Sequence, residues 1–410
     1  MTYRPLQPNR LAGPIRNIMY RLAEIDSLCP DSLLLSRPAI FGPALVKPVI
    51  VFFLVLVAAV AQPANLSVRV QGAPSEGVLV LQVYDSPNTF GDFRDPARES
   101  RVPISAESVY QVDDVPAGEI AVLIYVDENE NGLIDKNFIG IPKEPLGISN
   151  NYRPKGPPSF GRAKFIATDG ETTVIDIGIF NVLGKRGLLG VGAGVIGRGS
   201  PYVGSDTTVL QPIPAITYNG ERLQWLGPNV QYGVLGTGRW RLAASASYRI
   251  GAYEEDDSIA LSGLGDREST LMAGLAYRLE IPGGVNLLLS YEHDVLDKIG
   301  GGAGTARLSK GFQAGWLRIS PQLQVNLLGA ELTDHDFGVP PGAATPTRPA
   351  YDIGTSISYE AGFTSFIELT EDWRVVLSLA AEFLPDEIVA SPIVADDRVI
   401  KGFAAITYVF

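Results

Sequence analysis

The stretch VDENENGLID at 126–135 places carboxylate and amide side chains at alternate positions. A calcium-binding loop needs oxygen ligands at its first, third, fifth and ninth positions. Asp127, Asn129, Asn131 and Asp135 have this spacing. The sequence therefore predicts a calcium site in this loop.

The same loop also departs from the calcium pattern. Gly132 occupies the sixth position, where a sharp turn is needed, but the twelfth is Phe138 instead of a bidentate glutamate. Glu144 could supply a carboxylate from outside the loop. The alternative is a turn held by Asn and Asp side chains bonded to their own backbone. Both interpretations stay open, and in either the loop is structural, because no nucleophile or base accompanies it.

Composition excludes several classes of function. The chain has 410 residues, which is room for about two domains. Cys29 is its one cysteine, so neither a disulfide framework nor a thiolate metal site is available. The formal net charge of -12 argues against a nucleic-acid partner.

An export signal is predicted at 46–61. The apolar run at 49–61 has the length of a signal-peptide core and ends in Ala59-Val60-Ala61, a small-x-small cleavage pattern. Residues 1–45 form an unusually long leader, and translation could instead begin at Val46. The mature chain is expected to begin at Gln62.

Residues 62–180 alternate short β-type runs with turn residues, which predicts a small antiparallel β-sandwich in the periplasm. The predicted strands lie at 66–70, 77–84, 108–112, 119–126, 162–167 and 172–179.

This segment resembles a family of small secreted bacterial β-domains of unknown function. The resemblance covers about residues 66–179 and rests on PAGEIAVLIYVDENENGLIDKNFIGIPKEPLGISNN (116–151) and GPPSFGRAKF (156–165). It implies a fold but no activity.

Residues 187–410 show the pattern of a transmembrane β-barrel. Runs of eight to twelve residues carry apolar side chains at every second position, as strands between lipid and lumen do. Such runs lie at 239–250, 269–280, 285–292, 317–328, 373–384 and 399–410. Short turns alternate with long loops, so we expect an even strand number of about twelve and an all-β fold.

The C-terminus supports an outer-membrane location in a diderm bacterium. Ile406, Tyr408 and Phe410 share one strand face. This arrangement resembles the terminal signal that barrel-assembly machinery reads. Outer-membrane lipid is then a partner of the barrel.

Three further segments resemble the MipA/OmpV family over about residues 183–410. They are SPYVGSD (200–206), PIPAITYNGERL (212–223), and SPIV (391–394) before the terminal TYVF (407–410). The resemblance implies an outer-membrane scaffold that holds a lytic transglycosylase and a penicillin-binding protein together during murein growth.

Two catalytic signals are weak. GAGVIG at 192–197 spells a dinucleotide-binding pattern but lies inside a strand of small residues, where close backbone packing explains it better. His293 and His335 have serine or carboxylate neighbours in sequence, but a triad is defined by geometry. We predict no enzyme activity and no catalytic residues.

Three functions remain open. The leading hypothesis is a non-enzymatic scaffold for periplasmic murein enzymes. The second is a channel for small solutes, and a barrel hydrolase is third. The channel hypothesis rests on arginines at polar strand positions, namely Arg241, Arg249, Arg278, Arg318 and Arg374.

Overall fold

Two small β-sheets precede a β-barrel in the computed structural model, which describes residues 63–104, 108–205 and 209–410. The predicted leader and signal peptide, with Cys29, lie outside the described residues. We call the part before residue 181 the front sheets. Their strands are β1 (Ala64–Gln71), β2 (Val78–Tyr84), β3 (Arg98–Pro103), β4 (Val109–Val115), β5 (Gly118–Asp127), β6 (Leu146–Ile148), β7 (Phe165–Ala167) and β8 (Thr172–Gly178). Two short helices, α1 (Pro87–Phe90) and α2 (Phe160–Ala163), lie between them.

The two front sheets enclose an apolar core. One has the order β4-β1-β8 and the other β3-β2-β5-β6, with β7 pairing β5. Strand β5 is buried on both faces, which explains its continuous apolar sequence. Ile120 and Val122 face the core between the sheets, whereas Ala121 and Leu123 pack under α1 and α2.

The front sheets differ from the sequence prediction in several places. Strands β3 and β6 were not among the predicted strands. Strands β1 and β8 pair in parallel, so the sheet β4-β1-β8 is mixed and not purely antiparallel. A parallel pair needs a long crossover connection, because a tight hairpin can join only antiparallel strands. The long chain between β1 and β8 provides that connection. The strand predicted at 162–167 is α2 followed by the short β7. The domain boundaries stay predictions, since the described residues pack as one compact unit.

The barrel is closed, all-antiparallel and twelve-stranded, as predicted. Its strands are β9 (Leu188–Arg198), β10 (Val209–Asn219), β11 (Leu223–Leu226), β12 (Asn229–Leu235), β13 (Trp240–Arg249), β14 (Thr270–Ile281), β15 (Val285–Asp294), β16 (Gly302–Lys310), β18 (Leu317–Leu328), β19 (Ser356–Glu368), β20 (Trp373–Phe383) and β21 (Arg398–Val409). β16 pairs β18 and β21 pairs β9, which closes the ring. The three-residue β17 (Phe312–Ala314) pairs β18 within a turn.

Connections divide the barrel into two ends. Five short turns lie at one end, which we call the short-turn end, at 220–222, 236–239, 282–284, 311–316 and 369–372. The longer loops lie at the opposite, long-loop end and carry α3 (Ala330–Phe337) and α4 (Asp386–Val389). The β11–β12 hairpin is an exception, because it turns after only four residues of β11.

Side chains alternate between lipid and lumen along the barrel strands. On β13, Trp240 and Tyr248 are exposed on the outer face, whereas Arg241 is buried inside. Exposed aromatic residues form two girdles around the outer face. Those at the short-turn end include Trp240, Trp316, Trp373 and Phe410, and those at the long-loop end include Tyr248, Tyr291, Tyr359 and Phe383. An apolar band between aromatic girdles is the lipid-facing surface of a transmembrane barrel.

No helix among the described residues is long and apolar enough to cross a membrane.

The glycines of β9 allow close strand approach, which confirms the packing interpretation of 192–197. A Cβ at Gly192 would lie 1.8 Å from the Ile406 carbonyl oxygen, and one at Gly194 would lie 2.9 Å from that of Ala404. Larger residues here would push β9 away from β21, where the barrel closes.

We predict that Gly192→Val prevents closure of the barrel, because its Cβ would overlap the backbone of β21. The mobility shift between unheated and heated protein in electrophoresis, which reports a folded barrel, should be lost. The control is Gly402→Val on β21, since nothing lies within 4 Å of a Cβ there. Equal shifts in both variants would contradict the prediction.

Candidate functional site at the short-turn mouth of the barrel

The acidic loop after β5 is held by its own side chains. The Asp127 carboxylate accepts hydrogen bonds from the backbone N–H groups of Asn131 at 3.1 Å and Gly132 at 2.8 Å. Asn131 Oδ1 accepts one from Leu133 N–H at 2.8 Å. Gly132 has a φ of +78°, which the sharp turn requires. These contacts form the Asx-type turn that was the alternative to calcium.

Glu144 reaches this loop, as calcium binding would need. Its Oε1 accepts from Glu128 N–H at 3.2 Å and its Oε2 from Asp135 N–H at 2.9 Å. Burial raises the pKa of Glu144 to about 7, although these two hydrogen bonds oppose the shift.

The predicted calcium ligands are therefore close together but bonded to one another. Asn129 and Asn131 both donate from Nδ2 to Asp135, each at 3.0 Å. Among the described residues, no group of three or more His, Cys, Asp or Glu side chains could hold a metal ion. Calcium binding at Asp127, Asn129, Asn131 and Asp135 stays a prediction.

The chain continues from this loop into the barrel mouth. Lys136 N–H donates to the Thr237 carbonyl at 2.8 Å, in the turn between β12 and β13. Its Nζ lies 2.9 Å from Glu280 Oε2, and Arg241 Nη2 lies 2.7 Å from Glu280 Oε1. One lumen carboxylate thus joins a front-sheet lysine to a barrel arginine. Partly buried pairs of this kind are screened less by salt than surface pairs.

Phe138 is the residue that enters the lumen. It is 2% exposed and packs against Ala243 and Ala276 on β13 and β14. The Arg278 guanidinium carbon lies 5.4 Å from its ring centroid, within cation–π range. The residue that breaks the calcium pattern therefore anchors the loop in the barrel.

Neighbouring residues of the same segment bind another turn. Asn137 donates from Nδ2 to the Gly220 carbonyl at 3.0 Å, and Lys143 Nζ lies 3.1 Å from Glu221. We call residues 136–143 the docking loop.

The remaining short turns are contacted by other parts of the front sheets. Lys155 Nζ lies 2.5 Å from Asp372 and 2.7 Å from the Val409 carbonyl. Ser159 donates to the Gly315 carbonyl at 3.1 Å. At the remaining short turn, residues 282–284, a Cβ on Gly284 would lie 2.6 Å from Arg94 Nε. All five short turns therefore contact the front sheets.

Two further contacts join the front sheets to the barrel strands. Tyr152 donates to Glu368 at 2.8 Å, and burial together with the Glu368 charge raises the pKa of this tyrosine. Arg318 forms an ion pair with Asp92. The front sheets thus cover the mouth on several sides.

The long-loop end is closed by an apolar cluster. Tyr202 donates to the Asp336 carbonyl at 3.1 Å and packs edge-on against Tyr253 at 4.7 Å. Val203 N–H donates to the Ile393 carbonyl at 2.9 Å. The SPYVGSD and SPIV segments, which carried part of the family resemblance, therefore meet in this cluster.

The structure places the candidate catalytic histidines and the candidate channel arginines as follows. His293 faces outward on β15, whereas its sequence neighbours Ser290 and Glu292 face the lumen. His335 lies on α3, 3.1 Å from Asp336. The channel arginines do face the lumen, and three of them are paired. The pairs are Arg241 with Glu280, Arg249 with Asp336, and Arg318 with Asp92.

Sequence reasoning missed the docking loop. Its contacts join residues separated by as many as 144 positions, as between Lys136 and Glu280. One available signal was Phe138, a large apolar side chain where a calcium loop needs glutamate.

A closed antiparallel barrel with a lipid-facing band between aromatic girdles defines the chain as an outer-membrane β-barrel protein. The model of the family described as MltA-interacting protein MipA matches residues 191–410, which is 220 of the 410 residues. The chain belongs to this family. Residues 68–175 match a family described as an uncharacterized protein conserved in bacteria (DUF2141).

Similar proteins agree with this class. The MltA-interacting protein of Escherichia coli K12 is 27% identical over 57% of this chain and 93% of its own length. The putative outer membrane protein YiaT of the same strain is 28% identical over 50% of this chain and 84% of its own. A solved loop-deletion mutant of the Vibrio cholerae outer membrane protein OmpT has 8% identity and a TM-score of 0.25 over 85% of this chain and 97% of that chain.

We predict that Phe138→Ala loosens the front sheets from the barrel, because it empties a buried contact of a kind worth about 3 kcal/mol. Limited proteolysis should then cleave the docking loop faster than in the unmodified protein. The control is Ile166→Ala on β7, an apolar residue of the front sheets that is 70% exposed. Equal resistance of both variants would show that Phe138 is not an anchor.

Glu144 should titrate near pH 7 instead of near its ordinary value of 4.5. Because folding raises this pKa, the contribution of the protonated carboxyl to stability is complete below about pH 4.5 and is lost as the pH rises through 7. Carbon-13 NMR of glutamate-labelled protein measures the midpoint, and Glu144→Gln assigns the signal. A titration midpoint near 4.5 would contradict the burial of the Glu144 carboxyl group.

Proposed function

We propose that this protein is a non-enzymatic outer-membrane scaffold for murein-processing enzymes. In this proposal the barrel is the anchor, the short-turn end faces the periplasm, and the front sheets carry the partner-binding surface. The observation that carries it is the contact of the front sheets with all five short turns, including Phe138 in the lumen. The docking fixes these sheets at the membrane, as a scaffold requires.

The printed name of one relative supplies the partner class. A relative named MltA-interacting protein supports a lytic transglycosylase as the first partner to test. A penicillin-binding protein, implied by the family resemblance, is the second.

The free edge of β8 is the surface we assign to the partner. In the described residues, one edge of β8 pairs with β1. On the opposite edge, the Gly178 N–H donates to Asn151 Oδ1 at 2.7 Å. Backbone groups alternate between the two edges, so the N–H of Val174 points to the same free edge as that of Gly178. Val174 is also 51% exposed. An extended segment of the partner can add to such an edge as a further strand.

The channel is the second candidate, favoured by the lumen-facing arginines. The docking loop inside one mouth and the apolar cluster at the other favour the scaffold instead. An absence of ion conductance in planar bilayers supports the scaffold, and a steady open-channel current supports the channel.

We further propose that calcium binds the loop of Asp127, Asn129, Asn131 and Asp135, with Glu144 as an additional carboxylate. The ligand spacing and the hydrogen bonds between Glu144 and the loop support this. A bound cation favours the charged carboxylate, so calcium should lower the midpoint of the Glu144 titration. An unchanged midpoint would leave the self-bonded turn as the better account.

We predict that Val174→Pro abolishes capture of the transglycosylase in an in-cell cross-linking pull-down. Proline removes the N–H at the free edge but leaves the pairing with β1 intact, since proline is tolerated at edge positions. Deletion of residues 62–180 should abolish capture as well.

The matched control is Val174→Ala, which shortens the side chain but keeps the N–H. It should retain most of the captured partner. Equal loss with alanine and proline would assign binding to the side chain, because both substitutions remove it, and retention in the deletion would remove the front sheets from the proposal.

A further inference from the structure

The barrel wall has a lateral notch beside β10. Along one edge, β10 pairs with β9 from Val209 to Asn219. Along the other edge it pairs with β11 only at Thr217, Tyr218 and Asn219, because β11 is four residues long. In the described part of the chain, no strand borders residues 209–215 on that edge. We call the opening between these residues and the hairpin tip at 227–228 the notch.

Two prolines remove hydrogen-bond donors from the notch edge. Gly227 N–H donates to the Ile216 carbonyl at 3.3 Å, so the backbone groups of Ile216 point toward the notch. Alternate residues of a strand point to the same edge, which places Pro212 and Pro214 there as well. Both prolines lack an N–H. Ile213, which lies between them, still pairs with Gly194 of β9. Unsatisfied N–H groups are costly in hydrocarbon. The two prolines lower this cost on an edge where the carbonyls of Leu210, Pro212 and Pro214 have no strand partner among the described residues.

The same edge is poorly suited to bind a peptide. A strand added by another protein would need N–H donors along β10, and two consecutive positions on this edge have none. The outer side chains of the edge are Leu210, which is 68% exposed, and the exposed Pro212 and Pro214. The missing N–H donors, the apolar outer side chains and the position between the two aromatic girdles therefore favour a hydrocarbon chain over a polypeptide at this edge.

The lumen wall behind the hairpin side of the notch is apolar, which is unusual because barrel interiors are generally polar. Nearer the long-loop end the wall includes the inward Gln211 of β10. On β10, Ile213 and Ala215 face inward, since they pair with the inward Gly194 and Gly192 of β9. Continuing around the wall, the inward residues are Ile196 on β9 and Phe403 and Ala405 on β21. Arg198 on β9 and Lys401 on β21 also face inward, nearer the long-loop end than Ile196 and Phe403. Arg241, Arg278 and Glu280 lie on β13 and β14.

Both ends of the lumen are covered in the described residues. The docking loop occupies the short-turn mouth and the loop cluster the long-loop end. The notch thus connects the apolar part of the lumen with the membrane, not with water at either end.

We propose that the notch is a lateral binding site for the acyl chain of a membrane lipid, which passes between β10 and the β11–β12 hairpin and lies against the apolar lumen wall. This site is independent of the scaffold function, since it shares no residue with the docking loop or the β8 edge. Glycolipid and phospholipid share the chemistry that it recognises, a saturated hydrocarbon chain.

The test places single fluorescent labels on the full chain in bilayers whose lipids carry bromine midway along the acyl chain. Cys29→Ser removes the native thiol, and labels are attached to Gln211→Cys, Ser378→Cys or Leu377→Cys. Gln211 faces the lumen beside the notch. Ser378 faces the lumen on β20, whose neighbours cover both edges, and Leu377 faces lipid. Electrophoretic mobility of unheated protein establishes that each variant is folded.

The proposal expects bromolipid quenching at Gln211 to be several-fold greater than at Ser378 and to approach that at Leu377. Aqueous iodide should quench Gln211 weakly. Ile213→Asn, which makes the lumen wall polar, should reduce bromolipid quenching at Gln211 and leave Leu377 unchanged. Quenching of Gln211 by iodide but not by bromolipid would overturn the proposal and make the notch a water-filled opening. Bilayers made with brominated glycolipid or brominated phospholipid alone identify which lipid supplies the chain.

Discussion

Unpaired backbone N–H and C=O groups are costly at the depth of the hydrocarbon, and the rest of this structure depends on that constraint. It explains why twelve strands close into a ring and why β9 is rich in glycine where it meets β21. It also explains the prolines of β10. At the one long edge that lacks a neighbour among the described residues, Pro212 and Pro214 remove donors that the wall cannot satisfy.

The closed ring then determines how the front sheets are held. Twelve strands leave room at the mouth for one aromatic side chain and a few charged groups, and the docking loop supplies them. Glu280 joins Lys136 to Arg241, so the charges that face each other in the lumen are neutralised locally. The acidic loop before it is rigid because Asp127 and Glu144 bind its backbone on both sides. Its rigidity positions Phe138, whether or not calcium contributes.

Much of this architecture could be predicted from the sequence. The lipid and lumen faces of β13 were predicted correctly from the alternation of apolar and polar side chains at 239–250. Successive side chains of any β-strand point to opposite faces, so this alternation can be read from sequence. The docking loop could not be predicted, since its contacts depend on register around the ring and not on local pattern. The short β11 was equally hidden, because strand length there is set by where the hairpin turns. The parallel pairing of β1 with β8 was missed because sequence runs carry no sign of strand direction.

The central claim is that the front sheets are docked on the short-turn mouth. The most direct measurement is disulfide formation in intact cells between Leu133→Cys and Gly238→Cys, because Leu133 Cδ1 lies 3.3 Å from where a Cβ on Gly238 would be. The account predicts a disulfide-linked peptide pair by mass spectrometry, and none when Leu133→Cys is combined with Gly342→Cys in a long loop. Absence of the first cross-link in folded, inserted protein would contradict the docking.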